Sequence, residues 1–206
     1  AYDTSHNGTS DAFVCKLNSE LTNLEASTFL GGSVYENSQS IAFLSMPGTP
    51  ASIYIVGDTL STNFPITTGA YNTTSNGLWD IFVSKLNSGL TNLEASTYLG
   101  GSDFENAIYL MLDSSGNIYV SGDTQSPNYP TTVGAYDTSH SGYTDVFISK
   151  LNNGLTGLQA STFLNGNSGG SSYVGAMALD ANGQLFVTGY TTATDFPTTN
   201  GAYCTS

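Results

Sequence analysis

Basic side chains are almost absent from this sequence. Among 206 residues only Lys16, Lys85 and Lys150 carry a fixed positive charge, against 16 Asp and Glu, so the formal net charge is −13. Phosphate recognition needs clustered Lys or Arg, and anionic lipid headgroups attract the same side chains. The composition therefore argues against a nucleic-acid partner and against docking on an acidic membrane surface.

Long apolar runs are missing as well. No run approaches the roughly 20 residues that a membrane helix needs, and the chain opens with Ala1-Tyr2-Asp3 rather than with a charged-then-apolar leader. We therefore expect no membrane insertion, and either a mature product or an excised fragment. The sequence does contain 39% hydrophobic residues, with 13 Tyr and 10 Phe among them, in regular segments. This composition favours a folded β protein.

One eight-residue segment occurs three times. Its central copy, 80–87, reads Asp-Ile-Phe-Val-Ser-Lys-Leu-Asn, and matching segments lie at 11–18 and 145–152. Other features recur on nearly the same period, which identifies a repeat protein. Aligned on the dipeptide Ala-Tyr, the chain divides into repeats 1–69, 70–134 and 135–201, and residues 202–206 begin a fourth.

Each repeat has four strand-like segments separated by turn residues. In the segment 80–87, Phe82 and Leu86 point one way while Ile81 and Val83 point the other, which is typical of a strand covered on both faces in stacked sheets. The predicted strands are about 11–18, 24–30, 40–45 and 52–58 in the first repeat, 80–87, 93–99, 106–112 and 117–123 in the second, and 145–152, 158–164, 173–179 and 184–190 in the third.

The lysine of the recurring segment falls on a largely apolar face, where a lone charge is costly unless it is paired. Asp58 and Asp123, near the end of the fourth segment, are candidate partners, although the third repeat has no acid at that position.

An aromatic residue followed by proline closes each repeat, at Phe64, Tyr129 and Phe196. Proline excludes these aromatics from regular strands. We expect them to fill the gaps between neighbouring sheets.

Four blocks, in the same order in the repeats, carry a resemblance. They are Asp-x-Phe-[Val/Ile]-x-Lys-Leu-Asn, Ala-Ser-Thr-[Phe/Tyr]-Leu-Gly-Gly, Asp-x-x-Gly-Asn-Ile-Tyr-Val-x-Gly-Asp-Thr and [Phe/Tyr]-Pro-x-Thr-x-Gly-Ala-Tyr. Together they resemble the bacterial β-propeller repeat family named for seven-bladed propellers, over essentially the whole chain. The resemblance implies an all-β fold of tandem four-stranded antiparallel blades, one per repeat, in an extracellular or cell-surface setting. It implies no activity.

Three blades are too few for closure, since propellers typically close with about four to eight. Both ends of the chain are repeat-like, and an uncapped repeat exposes an apolar face and unpaired strand edges. The tail Ala202-Tyr203-Cys204 begins as the chain itself begins. We therefore predict head-to-tail self-association, which gives a filament if the contact does not close.

The two cysteines depart from their own repeats. Cys15 replaces a serine, and Cys204 takes the position of Asp3. If residues 1–5 and 11–17 formed a hairpin, position 3 would lie opposite position 15, and a docked tail would bring Cys204 near Cys15. A disulfide between successive subunits or within one chain, and two unpaired thiols, are the alternatives.

Other candidate sites are weaker. Asn7 and Asn72 begin glycosylation sequons in expected turns. Asp58, Asp103, Glu105 and Asp123 could supply oxygen ligands to calcium, but the third repeat lacks the equivalent acids. We predict no cofactor.

No nucleophile, zinc or phosphate-loop motif is present, so we predict no catalytic function. His6 and His140 fall at equivalent turn positions one or two blades apart.

The first functional hypothesis is an extracellular structural protein that assembles head to tail into a filament or surface layer. The alternative is a carbohydrate-binding or adhesive β-propeller module, in which Trp79 and tyrosines stack on sugars; Trp79 packing on its own neighbour is the simpler role.

Overall fold

A computed structural model describes residues 1–204 and places twelve β-strands in them. All twelve segments predicted from the sequence form strands. Their ends differ from the prediction by at most one residue, except that β3 begins at Glu36, four residues before its predicted start. The strands are β1 Ala12–Leu17, β2 Leu24–Leu30, β3 Glu36–Leu44, β4 Ser52–Thr59, β5 Asp80–Asn87, β6 Leu93–Leu99, β7 Glu105–Leu112, β8 Ile118–Thr124, β9 Asp145–Leu151, β10 Leu158–Leu164, β11 Ser172–Leu179 and β12 Leu185–Thr191.

The strands form two four-stranded antiparallel sheets and two hairpins. The first sheet has the order β3-β4-β5-β6 and the second sheet β7-β8-β9-β10. The N-terminal hairpin is β1-β2 and the C-terminal hairpin is β11-β12. The prediction of an all-β fold with tandem four-stranded sheets is confirmed.

The expectation of one sheet per repeat is wrong. Each four-stranded sheet combines the last two strands of one repeat with the first two strands of the next, because β4 pairs with β5 and β8 pairs with β9. A sequence repeat has no natural starting point, whereas a sheet is defined by which strands hydrogen-bond laterally. The chain therefore holds two complete sheets and, at its two ends, two halves.

The central strand β5 has both faces covered, as the alternation of its side chains predicts. Ile81 and Val83 belong to one buried cluster, shared with the second sheet, whereas Phe82 and Leu86 belong to another, shared with the N-terminal hairpin. The first sheet thus lies between the N-terminal hairpin and the second sheet.

Two of the three aromatics before proline fill space between sheets, as predicted, whereas the third, Phe196, is only partly buried. Phe64 is buried and stacks on Phe82 with ring centroids 4.4 Å apart, and Tyr129 stacks on Phe147 at 4.5 Å. Phe82 lies opposite Gly57 in the sheet, and a Cβ at that glycine would stand 2.8 Å from the Phe82 ring. Glycine leaves the room that this ring requires.

The lysine pairing predicted from the sequence is wrong. The lysines pair instead with Glu25, Glu94 and Asp113, at 2.8, 3.6 and 3.2 Å. The reason is register: Lys85 lies opposite Tyr54, whereas Asp58 lies opposite Ile81, four residues further along the strand. At that distance along the strand the lysine and the aspartate belong to opposite halves of the sheet.

Candidate assembly interface at the terminal hairpins

Each terminal hairpin has an unpaired edge on the side where the complete sheets have two further strands. Among residues 1–204, β1 pairs only with β2, and β12 pairs only with β11. By sequence, β1 is the equivalent of β5 and β9, and β12 is the equivalent of β4 and β8. In both complete sheets these two kinds of strand are neighbours. The N-terminal hairpin is therefore equivalent to β5-β6, which we call the outer half of a sheet, and the C-terminal hairpin is equivalent to β3-β4, the inner half. Together they contain the four strands of one sheet.

Three large apolar side chains of the N-terminal hairpin are exposed although their counterparts elsewhere in the chain are buried. Phe13, Leu17 and Leu21 are 66%, 51% and 74% exposed. Their counterparts in both complete sheets are buried: Phe82, Leu86 and Leu90, and Phe147, Leu151 and Leu155. The same residue types thus lie in water at one end of the chain and in the core elsewhere.

The C-terminal hairpin borders a cavity of about 340 Å³ beside the second sheet. Val146 and Leu164 of the second sheet, Gly189 of β12 and Phe196 all line it. The equivalent positions near Phe82 are Ala12, Leu30, Gly57 and Phe64, and those near Phe147 are Ile81, Leu99, Gly122 and Tyr129.

A second cavity, of about 430 Å³, lies on the same side of the second sheet. Val133, Tyr136, Ile148 and Leu185 contribute to its walls. Between the first and second sheets the equivalent tyrosine, Tyr71, donates its backbone N–H to the carbonyl of Leu155 at 2.8 Å. Tyr136, in contrast, is 70% exposed.

The cysteines are not joined by a disulfide, and the hairpin predicted between residues 1–5 and 11–17 is wrong. Asp3 lies beside β2, where its backbone N–H donates to Thr28 Oγ1 at 2.8 Å and its carbonyl accepts from Phe29 at 3.1 Å. Strand β2 thus separates position 3 from Cys15. Two strand spacings of about 4.8 Å exceed the roughly 7 Å limit between the Cα atoms of a disulfide.

Cys15 instead takes part in a cross-strand pair. Its Sγ lies 3.1 Å from Ser27 Oγ, just as Ser84 pairs with Ser96 at 2.9 Å in the first sheet. The thiol therefore substitutes for a hydroxyl in a repeated contact.

The buried carboxylates of the proposed calcium set hold the sheets together. Asp58 Oδ1 accepts from the backbone N–H of Ala107 at 2.7 Å, and Asp123 Oδ1 from that of Val174 at 3.1 Å. Burial raises the pKa of both carboxyls to about 6. Within residues 1–204 no group of three or more His, Cys, Asp or Glu is placed to hold a metal ion. The predicted calcium ligands, with Asp103 and Glu105, therefore do not converge.

The remaining predicted positions lie in turns. Asn7 Nδ2 donates to Asp3 Oδ2 at 3.0 Å, and Asn72 Oδ1 accepts from the backbone of Thr74 at 3.0 Å; glycosylation of either asparagine stays a prediction. In the tail, Ala202 donates its N–H to Thr199 at 3.1 Å. Tyr203 is exposed, and docking of this tail likewise stays a prediction.

Trp79 and the histidines pack on neighbouring rings. Trp79 lies between Tyr35 and Phe104, with centroids 5.2 and 6.0 Å away, which is the simpler of the two roles considered for it. His6 and His140 contact Phe29 and Phe163, one in the N-terminal hairpin and one in the second sheet.

Comparison with protein-family models finds no match, and comparison with curated protein sequences finds no similar protein. In the described part of the chain, no helix is long and apolar enough to cross a membrane.

Sequence reasoning did not single out Phe13, Leu17 and Leu21. The signal was present, because they match buried residues in the other repeats. Only the sheet order shows that no other strand within residues 1–204 covers them.

Proposed function

We propose that this chain is an extracellular structural protein whose copies join head to tail into a filament or surface layer. The C-terminal hairpin of one copy pairs with the N-terminal hairpin of the next and so completes a four-stranded sheet. The observation that carries this proposal is the complementarity of the two hairpins, which are the inner and outer halves of one design.

The unpaired edges supply the driving force. A free strand edge is a template for pairing with another chain, and strand addition is an established mode of protein recognition. Burying a large apolar side chain contributes about 1.5–3 kcal/mol. Three such side chains on the N-terminal hairpin give a gain of the same order as the cost of association, about 4–15 kcal/mol. We call the contact between the C-terminal hairpin of one copy and the N-terminal hairpin of the next the joint. The affinity of the copies for one another therefore depends on how closely these apolar side chains pack in the joint.

Sedimentation velocity of the native chain over a range of concentrations tests the proposal. We expect a series of species at multiples of 21.5 kDa that lengthens with concentration, and fibres or sheets in electron micrographs. A chain that stays monomeric at millimolar concentration would contradict the proposal. A series that stops at two chains would keep the joint but replace the filament by a closed ring of six sheets, a number typical of propellers.

A further inference from the structure

The complete sheets specify how such a joint would be built. This inference rests on the proposed head-to-tail association, and it concerns the register and the anchor of the contact. In the first sheet β4 and β5 pair with Gly57 opposite Phe82, and in the second sheet β8 and β9 pair with Gly122 opposite Phe147. The same offset applies in both sheets, so it can be transferred to β12 and β1.

We propose that a second copy of this chain docks with its β1 antiparallel to β12, with Gly189 opposite Phe13 and Val187 opposite Cys15, and seats Phe13 in the 340 Å³ cavity. The transfer places Phe186 opposite Lys16, as Tyr119 lies opposite Lys150 in the second sheet. There the lysine Nζ stands 4.9 Å from the ring centroid. Within residues 1–204 no aromatic ring lies under Lys16 in this way, and the neighbouring copy would supply one.

The cavity is lined by residues that suit a phenylalanine ring. Val146, Leu164, the Cβ-free Gly189 and Phe196 all contribute to its lining. Phe82 and Phe147 are packed by residues of the same kinds, including a stacked aromatic from the segment before proline. On docking, Phe13 would therefore contact Val146 and Leu164, the open side of Gly189 and the ring of Phe196.

By the same equivalence between repeats, Leu17 and Leu21 of the incoming copy would enter the 430 Å³ cavity. Leu151 and Leu155 are buried against the first sheet and against Tyr71, whose N–H bonds the Leu155 carbonyl. In the joint, Leu17 and Leu21 of the incoming copy reach Val133 and Tyr136, and the Tyr136 N–H bonds the Leu21 carbonyl. Both exposed ends of the chain become interior.

The register can be tested with the native thiol. In a Cys204→Ser background, Val187→Cys places a second thiol directly opposite Cys15 of the next copy, within disulfide range. Under a glutathione redox buffer we expect a reductant-sensitive ladder on denaturing gels. The control Thr188→Cys points its thiol to the other face of the strand and should give none.

The anchor is tested by Phe13→Ala, which should weaken association in sedimentation by about 30-fold or more, as for a buried aromatic anchor. Because Phe13 is 66% exposed in the single chain, the variant should keep the native unfolding midpoint. Leu78→Ala, also at 66% exposure but in the turn before β5, is the matched control and should associate normally.

The outcomes separate this inference from the proposal beneath it. Association without a Val187 ladder, with an equal Thr188 ladder, or with no effect of Phe13→Ala would overturn the register and anchor while head-to-tail association stands. Absence of any association would overturn both.

Discussion

At the scale of single residues, the two carboxylate oxygens of Asp80 differ in their hydrogen bonding. Its Oδ1 is buried and accepts no hydrogen bond from the described part of the chain, while Oδ2 accepts from Ser75 and from backbone N–H groups. A Cβ built on Gly100 would lie 2.3 Å from this oxygen and 2.7 Å from Glu105 Oε2, so two carboxylates face the same small space. In the third repeat Asn165 replaces Gly100.

In the third repeat the amide of Asn165 fills the equivalent space and supplies a hydrogen-bond donor. Its Nδ2 donates to Asp145 Oδ1, the equivalent of Asp80 Oδ1, at 2.5 Å. In the second repeat no amide is available there, and a protonated Glu105 can take the role of donor. Burial raises the pKa of Glu105 to about 7, although hydrogen bonds from Ser126, Thr124 and Gly101 oppose the shift.

Replacing Glu105 by Gln should flatten the pH dependence of stability. The pKa of Glu105 is higher in the folded than in the unfolded chain, so its contribution is complete below about pH 4.5 and is lost as pH rises through about 7. We expect urea unfolding of the native chain to lose about 1–3 kcal/mol from this group between pH 4.5 and 8, and Glu105→Gln to lose less. Asp103→Asn is the control for a changed net charge. An unchanged pH profile in Glu105→Gln would contradict the assignment.

At the scale of elements, one turn is strained in the same way three times. Leu21, Leu90 and Leu155 have φ of 57°, 53° and 55°, a left-handed conformation that costs a non-glycine residue about 1–2 kcal/mol. Leu90 and Leu155 are buried, and this burial offsets the strain. Leu21 is exposed, so within a single chain burial of its side chain does not offset the strain.

Glycine at these turns should therefore act in opposite directions. Leu21→Gly should leave the unfolding free energy of the single chain unchanged or raise it by up to about 1 kcal/mol, yet weaken association. Leu90→Gly should lower the unfolding free energy by about 2–5 kcal/mol because a core side chain is lost. Chemical unfolding at a concentration where the chain is monomeric measures both. Equal effects of the two substitutions would refute this account of the turn.

If the tail docks on a neighbouring copy, it would compete with the segment before the first strand for one position. Phe29 donates its N–H to the Asp3 carbonyl at 3.1 Å, just as Tyr98 donates to Asn72 and Phe163 to Asp137. Cys204 is the sequence equivalent of these acceptors, so in a joint the tail of one copy and residues 1–3 of the next need the same place on β2.

Deleting residues 1–3 should strengthen association, since the tail then meets an open edge. Sedimentation at equal concentrations should show a shift to larger species. The gain should vanish when residues 202–206 are removed as well, which separates tail docking from unspecific pairing at the exposed strand. A gain that survives this second deletion would mean that the tail is not the occupant.

The strands themselves could be predicted well from the sequence because apolar alternation and turn residues are local signals. Their grouping could not, because Ala-Tyr alignment places β4 and β5 in different repeats although they pair. The hairpin assumed for the cysteines was wrong for the same reason: residues near in sequence, 1–5 and 11–17, are not neighbours in the sheet. A disulfide between successive copies stays a prediction. Phe13 is exposed because no sheet covers it within residues 1–204. The sequence does not reveal this exposure, because the motif is nearly the same in all three repeats.

At the scale of the whole molecule, apolar ends compete with a strongly acidic charge. Every copy carries a formal net charge of −13, so successive copies repel one another, and only three lysines per chain reduce that repulsion. The buried apolar contacts carry no charge themselves, but two bodies of net charge −13 repel one another both during approach and when docked.

Association should therefore strengthen with ionic strength. Salt shortens the Debye length from about 30 Å at 0.01 M to about 8 Å at 0.15 M, which screens the repulsion between copies and leaves the buried apolar contacts intact. Sedimentation in sodium chloride at these two concentrations should show larger species in the higher salt. Phe13→Ala, which keeps the full charge, should gain little, because screening alone provides no anchor; an equal gain in this variant would indicate unspecific salting-out rather than a specific joint.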